Sequence, residues 1–171
     1  MLKTGTAFIV SAAVLATVVA ACAPRPAVPP KPDENAIRTA LTAQLAKLPA
    51  IFPAKDVATL VDLFTQDATW ILPDASTFVG RASIESGAKG VLEAFGSASI
   101  SAIVIDKLVI VSDSEAVTFV HQNYTMTVKG KPESFVNPFA DLWRKGADGV
   151  WRIAYEVNAN GPATPAAPPA H

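Results

Sequence analysis

Hydrophobic positions recur along this chain with two different periods, and the change between them falls near Ala98. Before that residue, apolar side chains return every three or four residues, which places them on one face of a helix. The three stripes are Ile37, Leu41, Leu45 and Leu48; Val57, Leu60, Val61 and Phe64; and Ile84, Ala88, Val91, Leu92 and Phe95. We expect three helices, the third over residues 82–95, with Pro49 and Pro53 breaking the chain between the first two.

The rest of the pattern predicts strands. Residues 68–72 form a short strand that Pro73 ends, and residues 77–79 fold back on it as a hairpin. Beyond Ala98, four segments of alternating character are joined by turns of hairpin length: 100–111, 115–128, 134–145 and 150–158. Helices first and a meander last indicate an α+β fold, a cone of three N-terminal helices packed on a curved antiparallel sheet. A sheet curled in this way leaves an apolar cavity against the helices, which is where ligands bind in such folds.

The first residues have the character of a bacterial lipoprotein signal. Residues 1–21 contain a short, almost wholly apolar run, and the chain's single cysteine, Cys22, follows Val19 and two alanines. This arrangement resembles a lipobox, which implies a thiol that carries diacylglyceryl and an amine that carries a fatty acyl chain such as palmitate. A plain signal peptide with an incidental cysteine, or an uncleaved anchor, remains the alternative. Ala23 after the cysteine is similar to signals for the outer membrane, so we expect a lipid-anchored protein on its periplasmic face.

The domain boundaries follow from composition. Residues 22–32 are rich in proline and alanine and form an extended tether, and residues 161–171 have the same composition and form a disordered tail. Residues 33–160 form the folded domain. The net charge is −1 and no basic stripe is present, so nucleic acid is not an expected partner. A single cysteine allows no internal disulfide, and no Cys/His cluster has metal-binding spacing, so we expect no metal and no cofactor.

Short motifs in the domain resemble the nuclear-transport-factor-2-like (NTF2-like) superfamily, and more narrowly its SnoaL-like and DUF4440-type domains. The motifs are Asp67-Ala68-Thr69, Pro73, Gly80-Arg81, Ile84 and residues 149–153, and the similarity extends over about residues 35–160. The resemblance implies the cone-shaped fold and a homodimer. It does not imply one reaction, because the superfamily includes isomerases, dehydratases, cyclases and association domains. Its ketosteroid isomerases carry an aspartate base directly before this proline, where this chain has Leu72, so isomerisation by that base is predicted to be absent.

Few polar residues remain as catalytic candidates. They are His121, Tyr124 and Tyr155. Alternation on 150–158 places Tyr155 in the cup with Trp151, and it places Glu156 and Asn158 on the opposite face. Tyr155 could also be a core aromatic with its hydroxyl at the rim. On 115–128 the pattern does not decide which face of the strand points inward. If the strand is regular, only one of His121 and Tyr124 can point into the cup. The predicted ligand pocket comprises Trp70, Leu72, Tyr124, Trp143, Trp151 and Tyr155.

Three functions are compatible with these residues. The first is an envelope-anchored domain that binds a small hydrophobic molecule. The second is a cofactor-independent isomerase, cyclase or dehydratase that uses His121 or Tyr124 with Tyr155. The third is a dimeric assembly module that uses the outer face of the sheet. A polar group with a shifted pKa inside the pocket, next to a second polar group, would favour the enzyme.

Overall fold

The computed structural model describes residues 32–159 and the backbone of residues 164–165. The predicted signal peptide, Cys22 and most of the two proline-rich segments lie outside these residues. The helices are α1 (Glu34–Leu45), α2 (Leu48–Ala54), α3 (Val57–Asp62) and α4 (Arg81–Phe95). The strands are β1 (Phe64–Ile71), β2 (Thr77–Val79), β3 (Ser99–Ile110), β4 (Glu115–Val128), β5 (Lys131–Lys145), β6 (Trp151–Asn158) and β7 (Thr164–Pro165).

The strands form one sheet in the order β2-β1-β6-β5-β4-β3, with β7 beside the first part of β5. All neighbours are antiparallel except β1 and β6, which run parallel. The predicted α+β class, the four-stranded meander and the hairpin of the first two strands are confirmed. The parallel pair joins the short hairpin to the end of the meander and gives the helices one continuous concave face to cover.

The helices differ from the prediction at one point. The structure has an additional short helix, α2, where Pro49 and Pro53 were expected to break the chain, so the described residues before β3 form four helices rather than three. Pro49 lies in the first turn of α2, where the backbone N–H that a proline lacks has no partner inside the helix. Pro53 lies inside α2, one residue before the helix ends at Ala54. Phe64, which was assigned to a helical stripe, is instead the first residue of β1 and is buried in the core.

The core lies between the helices and the concave face of the sheet. Leu41 from α1, Ile84 and Leu92 from α4, and Trp143 from β5 are almost completely buried there. On β4 the even-numbered residues from Ala116 face this core, which settles the orientation that alternation left open. None of the helices within the described residues is both long enough and apolar enough to span a membrane.

An irregularity in β6 decides which of its residues face inward. On β5, Leu142 is opposite Tyr155 and the next residue, Trp143, is opposite Ile153, so Ala154 is an extra residue without a partner. This β-bulge shifts the alternation by one position. Ile153 and Ala154 are both buried, Tyr155 is 40% exposed, and Glu156 becomes an inward-facing residue.

Candidate ligand-binding site

A cavity of about 170 Å³ lies between the concave face of the sheet and the helices. Its wall is largely aliphatic and aromatic. Each helix contributes, with Leu45 from α1, Phe52 from α2, Leu60 from α3 and Val91 from α4. These are residues of the predicted helical stripes or their neighbours, so the amphipathic pattern that directs the helices onto the sheet also makes the cavity apolar.

Three of the residues predicted for the pocket line this cavity: Trp70, Leu72 and Tyr124. The ring of Tyr124 stacks on Phe135 with the ring centroids 5.4 Å apart, and Phe95 packs against it edge-on at 6.5 Å. Burial raises the pKa of the Tyr124 hydroxyl. It therefore stays protonated at neutral pH and can act as a hydrogen-bond donor to a ligand.

Glu156 supplies a carboxyl group to the apolar cavity. Its Oε1 atom accepts hydrogen bonds from Trp70 Nε1 at 2.7 Å and from Asn158 Nδ2 at 2.8 Å. Within the described residues Oε2 forms no hydrogen bond. Trp70 and Glu156 are direct neighbours across the parallel pair of β1 and β6, so the sheet itself sets this contact. Two donors on one oxygen fix the orientation of the carboxyl group and leave the other oxygen for a ligand.

An amide chain extends from Glu156 along the wall. Asn158 Nδ2 also donates to the backbone carbonyl of Ile71 at 3.1 Å, and Asn137 Nδ2 donates to Asn158 Oδ1 at 3.0 Å. Because both amide groups have defined partners, their donor and acceptor atoms are assigned by the network. Gln122 lies opposite Asn137 on the neighbouring strand and also lines the cavity. These four residues form the polar end of the cavity.

A second carboxyl group lies directly behind the first. Asp141 is paired with Glu156 across β5 and β6 and is 1% exposed. Thr118 Oγ1 donates to Asp141 Oδ2 at 3.2 Å and accepts a hydrogen bond from Trp143 Nε1 at 2.9 Å. Asp141 Oδ1 is buried and has no hydrogen-bond partner among the described residues. Side chains directly opposite on an antiparallel pair have Cβ atoms about 5 Å apart, so the two carboxyl groups interact.

Burial determines the protonation of this pair. It raises the pKa of Asp141 well above its usual range, the neighbouring Glu156 raises it further, and the hydrogen bond from Thr118 opposes both effects. Burial also raises the pKa of Glu156, against the hydrogen bonds from Asn158 and Trp70. A charged carboxylate inside an apolar region without a cation is unfavourable, and taking up a proton relieves this. A carboxylic acid at Glu156 can donate a hydrogen bond, or a proton, at Oε2.

Two of the catalytic candidates lie elsewhere. The prediction that Tyr155 faces the cup is wrong, because the bulge at Ala154 turns it to the convex face of the sheet. His121 also lies on the convex face, where its Nδ1 contacts Asp106 Oδ2 at 2.8 Å. The predicted combination of Tyr155 with His121 or Tyr124 is therefore not formed inside the cavity, and Tyr124 is the only one of the three to line it.

Two tryptophans predicted for the pocket are core residues instead. Trp143 is completely buried and Trp151 is 4% exposed, and neither lines the cavity. Trp143 has its indole N–H bonded to Thr118 and fills the interior beyond Asp141. The prediction that these two tryptophans line the pocket is therefore wrong. Close packing places the largest side chains of the meander in the filled part of the core, away from the cavity.

The polar end of the cavity was not predicted. Glu156 and Asn158 were assigned to the outer face by strict alternation, and nothing in the residue pattern marks the extra residue at Ala154. Gln122 and Asn137 are polar residues opposite each other on adjacent strands. Gln122 lies on the same face of β4 as Tyr124. If that face had been predicted to point inward, Gln122 would have been recognised as a residue of the cavity wall.

A second hollow on the molecule is lined by Arg81, Arg144, Arg152 and their neighbours. Each of its three arginines has a carboxylate partner nearby. Arg81 contacts Asp62 at 3.0 Å, and the other pairs are Arg144–Asp67 at 3.3 Å and Arg152–Asp148 at 2.9 Å. Because these arginines are paired, the apolar cavity is the better candidate site. In the part of the chain that the structure describes, no group of three His, Cys, Asp or Glu side chains is arranged to hold a metal ion.

A family model described as a SnoaL-like domain matches residues 45–155, more than half of the chain. The chain belongs to the SnoaL-like domain family. The part of this SnoaL-like protein that matches extends from the end of α1 into β6, and Glu156 and Asn158 follow directly after it. None of the curated proteins matches the chain.

Solved structures share the fold of this domain. A ketosteroid isomerase-like protein from Erwinia carotovora atroseptica is 20% identical with a TM-score of 0.60, over 71% of this chain and 93% of that chain. A domain of unknown function with a cystatin-like fold from Nostoc punctiforme is 16% identical with a TM-score of 0.64, over 75% and 80%. A protein from Catenulispora acidiphila in complex with S-DNPA is 18% identical with a TM-score of 0.60, over 74% and 94%. At these identities the likeness concerns the fold, and the NTF2-like, cystatin-like architecture of this SnoaL-like domain is confirmed.

Proposed function

We propose that this SnoaL-like domain binds a small hydrophobic molecule in the cell envelope. The observation that carries the proposal is the apolar cavity of about 170 Å³ with its few polar groups collected at one end. Ligand sites have this composition, since the apolar wall supplies affinity and the polar groups fix orientation. Each CH₂ group that a ligand buries there contributes about 0.8 kcal/mol.

A cavity-filling variant tests this binding. Ala98 lines the cavity, and Ala98→Trp would place an indole in the space that the ligand occupies. Native mass spectrometry of the protein purified from its own membranes is expected to detect a retained molecule on the wild type and none on this variant. Val111→Trp, at a position that is 58% exposed, is the control for the added side chain. Equal retention by the wild type and Ala98→Trp would refute binding in this cavity.

Anchoring in the envelope is the second part of the proposal. It is supported by the sequence pattern at Cys22, where an apolar run and two small residues precede the only cysteine. Lipidation would keep the domain at the membrane, with residues 22–32 as a tether and the periplasmic face of the outer membrane as the location. Cys22→Ser is expected to remove the lipid mass and to change membrane fractionation. If lipid mass and fractionation both stay as in the wild type, the anchor is not on this residue.

A cofactor-independent isomerase, cyclase or dehydratase is the alternative function, and Glu156 favours it. The residue before Pro73 is Leu72, which cannot transfer a proton, whereas Glu156 offers Oε2 in a position open to the cavity. Burial raises the pKa of this carboxyl toward the range in which acid–base catalysis is efficient. For a retained molecule that the protein transforms, Glu156→Gln is expected to lower kcat by about 10²- to 10⁴-fold. Glu133→Gln, on the exposed start of β5, is the control, and unchanged turnover in Glu156→Gln would exclude Glu156 as the acid–base group.

A homodimer through the convex face of the sheet accompanies either function. This face carries exposed apolar side chains in the described part of the meander, and apolar patches of this kind mark contact surfaces. They are Val104, Val109, Phe119, Tyr155 and Val157. Phe119→Glu is expected to halve the mass measured by sedimentation, while Val79→Glu on the exposed edge strand β2 leaves it unchanged. A dimer that survives Phe119→Glu would use another surface.

A further inference from the structure

The polar end of the cavity has hydrogen-bonding atoms that the protein leaves free. Within the described residues, no hydrogen bond is formed by Glu156 Oε2, by the side-chain amide of Gln122, or by Asn137 Oδ1. Each of these atoms keeps some accessible surface, and each of their residues lines the cavity. The residues are connected, because Gln122 lies opposite Asn137 and Asn158 bridges Asn137 to Glu156. A ligand can therefore reach them with one end.

The free atoms include both donors and acceptors. Trp70 and Asn158 direct two N–H groups at Glu156 Oε1, so the proton of the neutral acid belongs on Oε2 and is presented to the cavity. Gln122 offers an N–H₂ donor and a carbonyl acceptor, and Asn137 offers a carbonyl acceptor. A ligand group that only accepts, or only donates, would leave part of this set without a partner in a region shielded from water.

The charges around the cavity disfavour an anion. Among the described residues that line it, none is a lysine, an arginine or a histidine. The ionisable groups at its polar end are the carboxyl of Glu156 and, behind it, that of Asp141. The other titratable side chain on its wall is the Tyr124 phenol. A bound carboxylate would lose its hydration without gaining a cation, and this loss is unfavourable in an apolar cavity.

We propose that this cavity selects an uncharged molecule whose apolar body ends in a hydroxyl or a primary amide, and that it rejects the same body ending in a carboxylate. The proposal rests on the proposed binding function and specifies its ligand. In the cell envelope it distinguishes neutral alcohols and amides from free fatty acids, whose carboxylates find no counter-charge here. A protonated amine is the remaining competitor, because it could pair with an ionised Glu156.

A set of matched probes tests the selection. The full-length protein in lipid nanodiscs is dialysed near pH 6 against methylnaphthalene, naphthylmethanol, naphthoate and naphthylmethylammonium, which share one apolar body. Nanodiscs that carry Ala98→Trp provide the background from partition into lipid. We expect naphthylmethanol to bind about tenfold tighter than methylnaphthalene and more than about tenfold tighter than naphthoate, since one satisfied buried hydrogen bond is of the first size and burying an anion without a cation costs more.

The outcomes separate this proposal from the one that it rests on. If naphthoate or naphthylmethylammonium binds as tightly as naphthylmethanol, the neutral-ligand proposal is overturned while binding stands. If none of the four exceeds the Ala98→Trp background, both fail. The affinity of the wild type for naphthylmethanol is expected to change as Glu156 ionises, because Oε2 then accepts a hydrogen bond instead of donating one. Glu156→Gln keeps a donor at this position at every pH and is expected to show no such change. Identical pH dependence in both proteins would also overturn the assignment of Oε2 as the donor.

Discussion

The buried carboxyl of Asp141 makes a prediction about the pH dependence of stability that Asp141→Asn can test. The substitution keeps the shape of the side chain and an oxygen that can accept the hydrogen bond from Thr118. It removes the ionisation of a group that is 1% exposed and has one oxygen without a partner among the described residues. The variant therefore isolates the effect of the proton that the native state holds on this residue.

The sign and size of the effect follow from linkage. Because burial raises the native pKa of Asp141, the native state keeps a proton that the unfolded chain releases above about pH 4. The free energy of unfolding of the wild type therefore falls, relative to that of Asp141→Asn, as the pH rises from the unfolded pKa to the native one. One proton corresponds to a slope of at most about 1.4 kcal/mol per pH unit. At acid pH, where both states are protonated, the two proteins should differ by no more than about 1 kcal/mol.

Urea unfolding followed by tryptophan fluorescence measures this difference. All three tryptophans are buried, so their emission reports loss of the core. The control is Asp148→Asn at an exposed position, where hydrogen bonds from Val150 and Arg152 lower the pKa of the carboxyl. The ionised carboxyl of Asp148 stabilises the folded state above the pKa that this group has in the unfolded chain, and this stabilisation is lost as the pH falls. The stability difference between the wild type and Asp148→Asn therefore changes with pH in the direction opposite to that for Asp141→Asn. If the difference in free energy of unfolding between the wild type and Asp141→Asn stays constant between about pH 4 and about pH 8, the native pKa of Asp141 is not raised.

Further predictions concern two other contacts. Trp70→Phe removes the indole donor to Glu156 and is expected to destabilise the domain by about 1–3 kcal/mol in urea unfolding, because a buried acceptor loses a partner; an unchanged unfolding midpoint would contradict this. Gly87→Ala is expected to destabilise by about 1–3 kcal/mol, since its Cβ would come within 2.8 Å of the Phe78 ring. Gly90→Ala on the same helix meets no atom within 4 Å and should instead raise the thermal midpoint by an amount equivalent to about 1 kcal/mol. If Gly87→Ala also stabilises the domain, the ring of Phe78 moves aside to make room for the added methyl group.

The fold was predictable from the chain because its periods are clear. The helical stripe that begins at Ile37 and the alternation from Ala98 onward each specify one type of element, and the turns between the strands are short. The missed helix α2 shows the limit, since Pro49 falls in its first turn, where the absent N–H is not needed, and Pro53 does not break a helix that ends one residue later. Elements are thus decided locally, and a local pattern is sufficient to identify them.

The site was less predictable because it depends on pairing between distant residues. Trp70 and Leu72 were expected on the cavity wall from their position before Pro73, and they are lining residues. Glu156 was assigned to the wrong face, because the bulge opposite β5 comes from strand pairing and not from the identity of Ala154. No role was predicted for Asp141, because its effect on Glu156 exists only once β5 and β6 are paired.

The parallel contact between β1 and β6 also has a consequence for how the chain folds. Residues such as Trp70 and Glu156 are 86 residues apart in the sequence, and a closure of this length carries an entropic penalty before any contact forms. High contact order of this kind slows folding. During synthesis the β1–β2 hairpin is complete long before its partner strand β6 exists, so its open edge is exposed to mispairing until β6 docks.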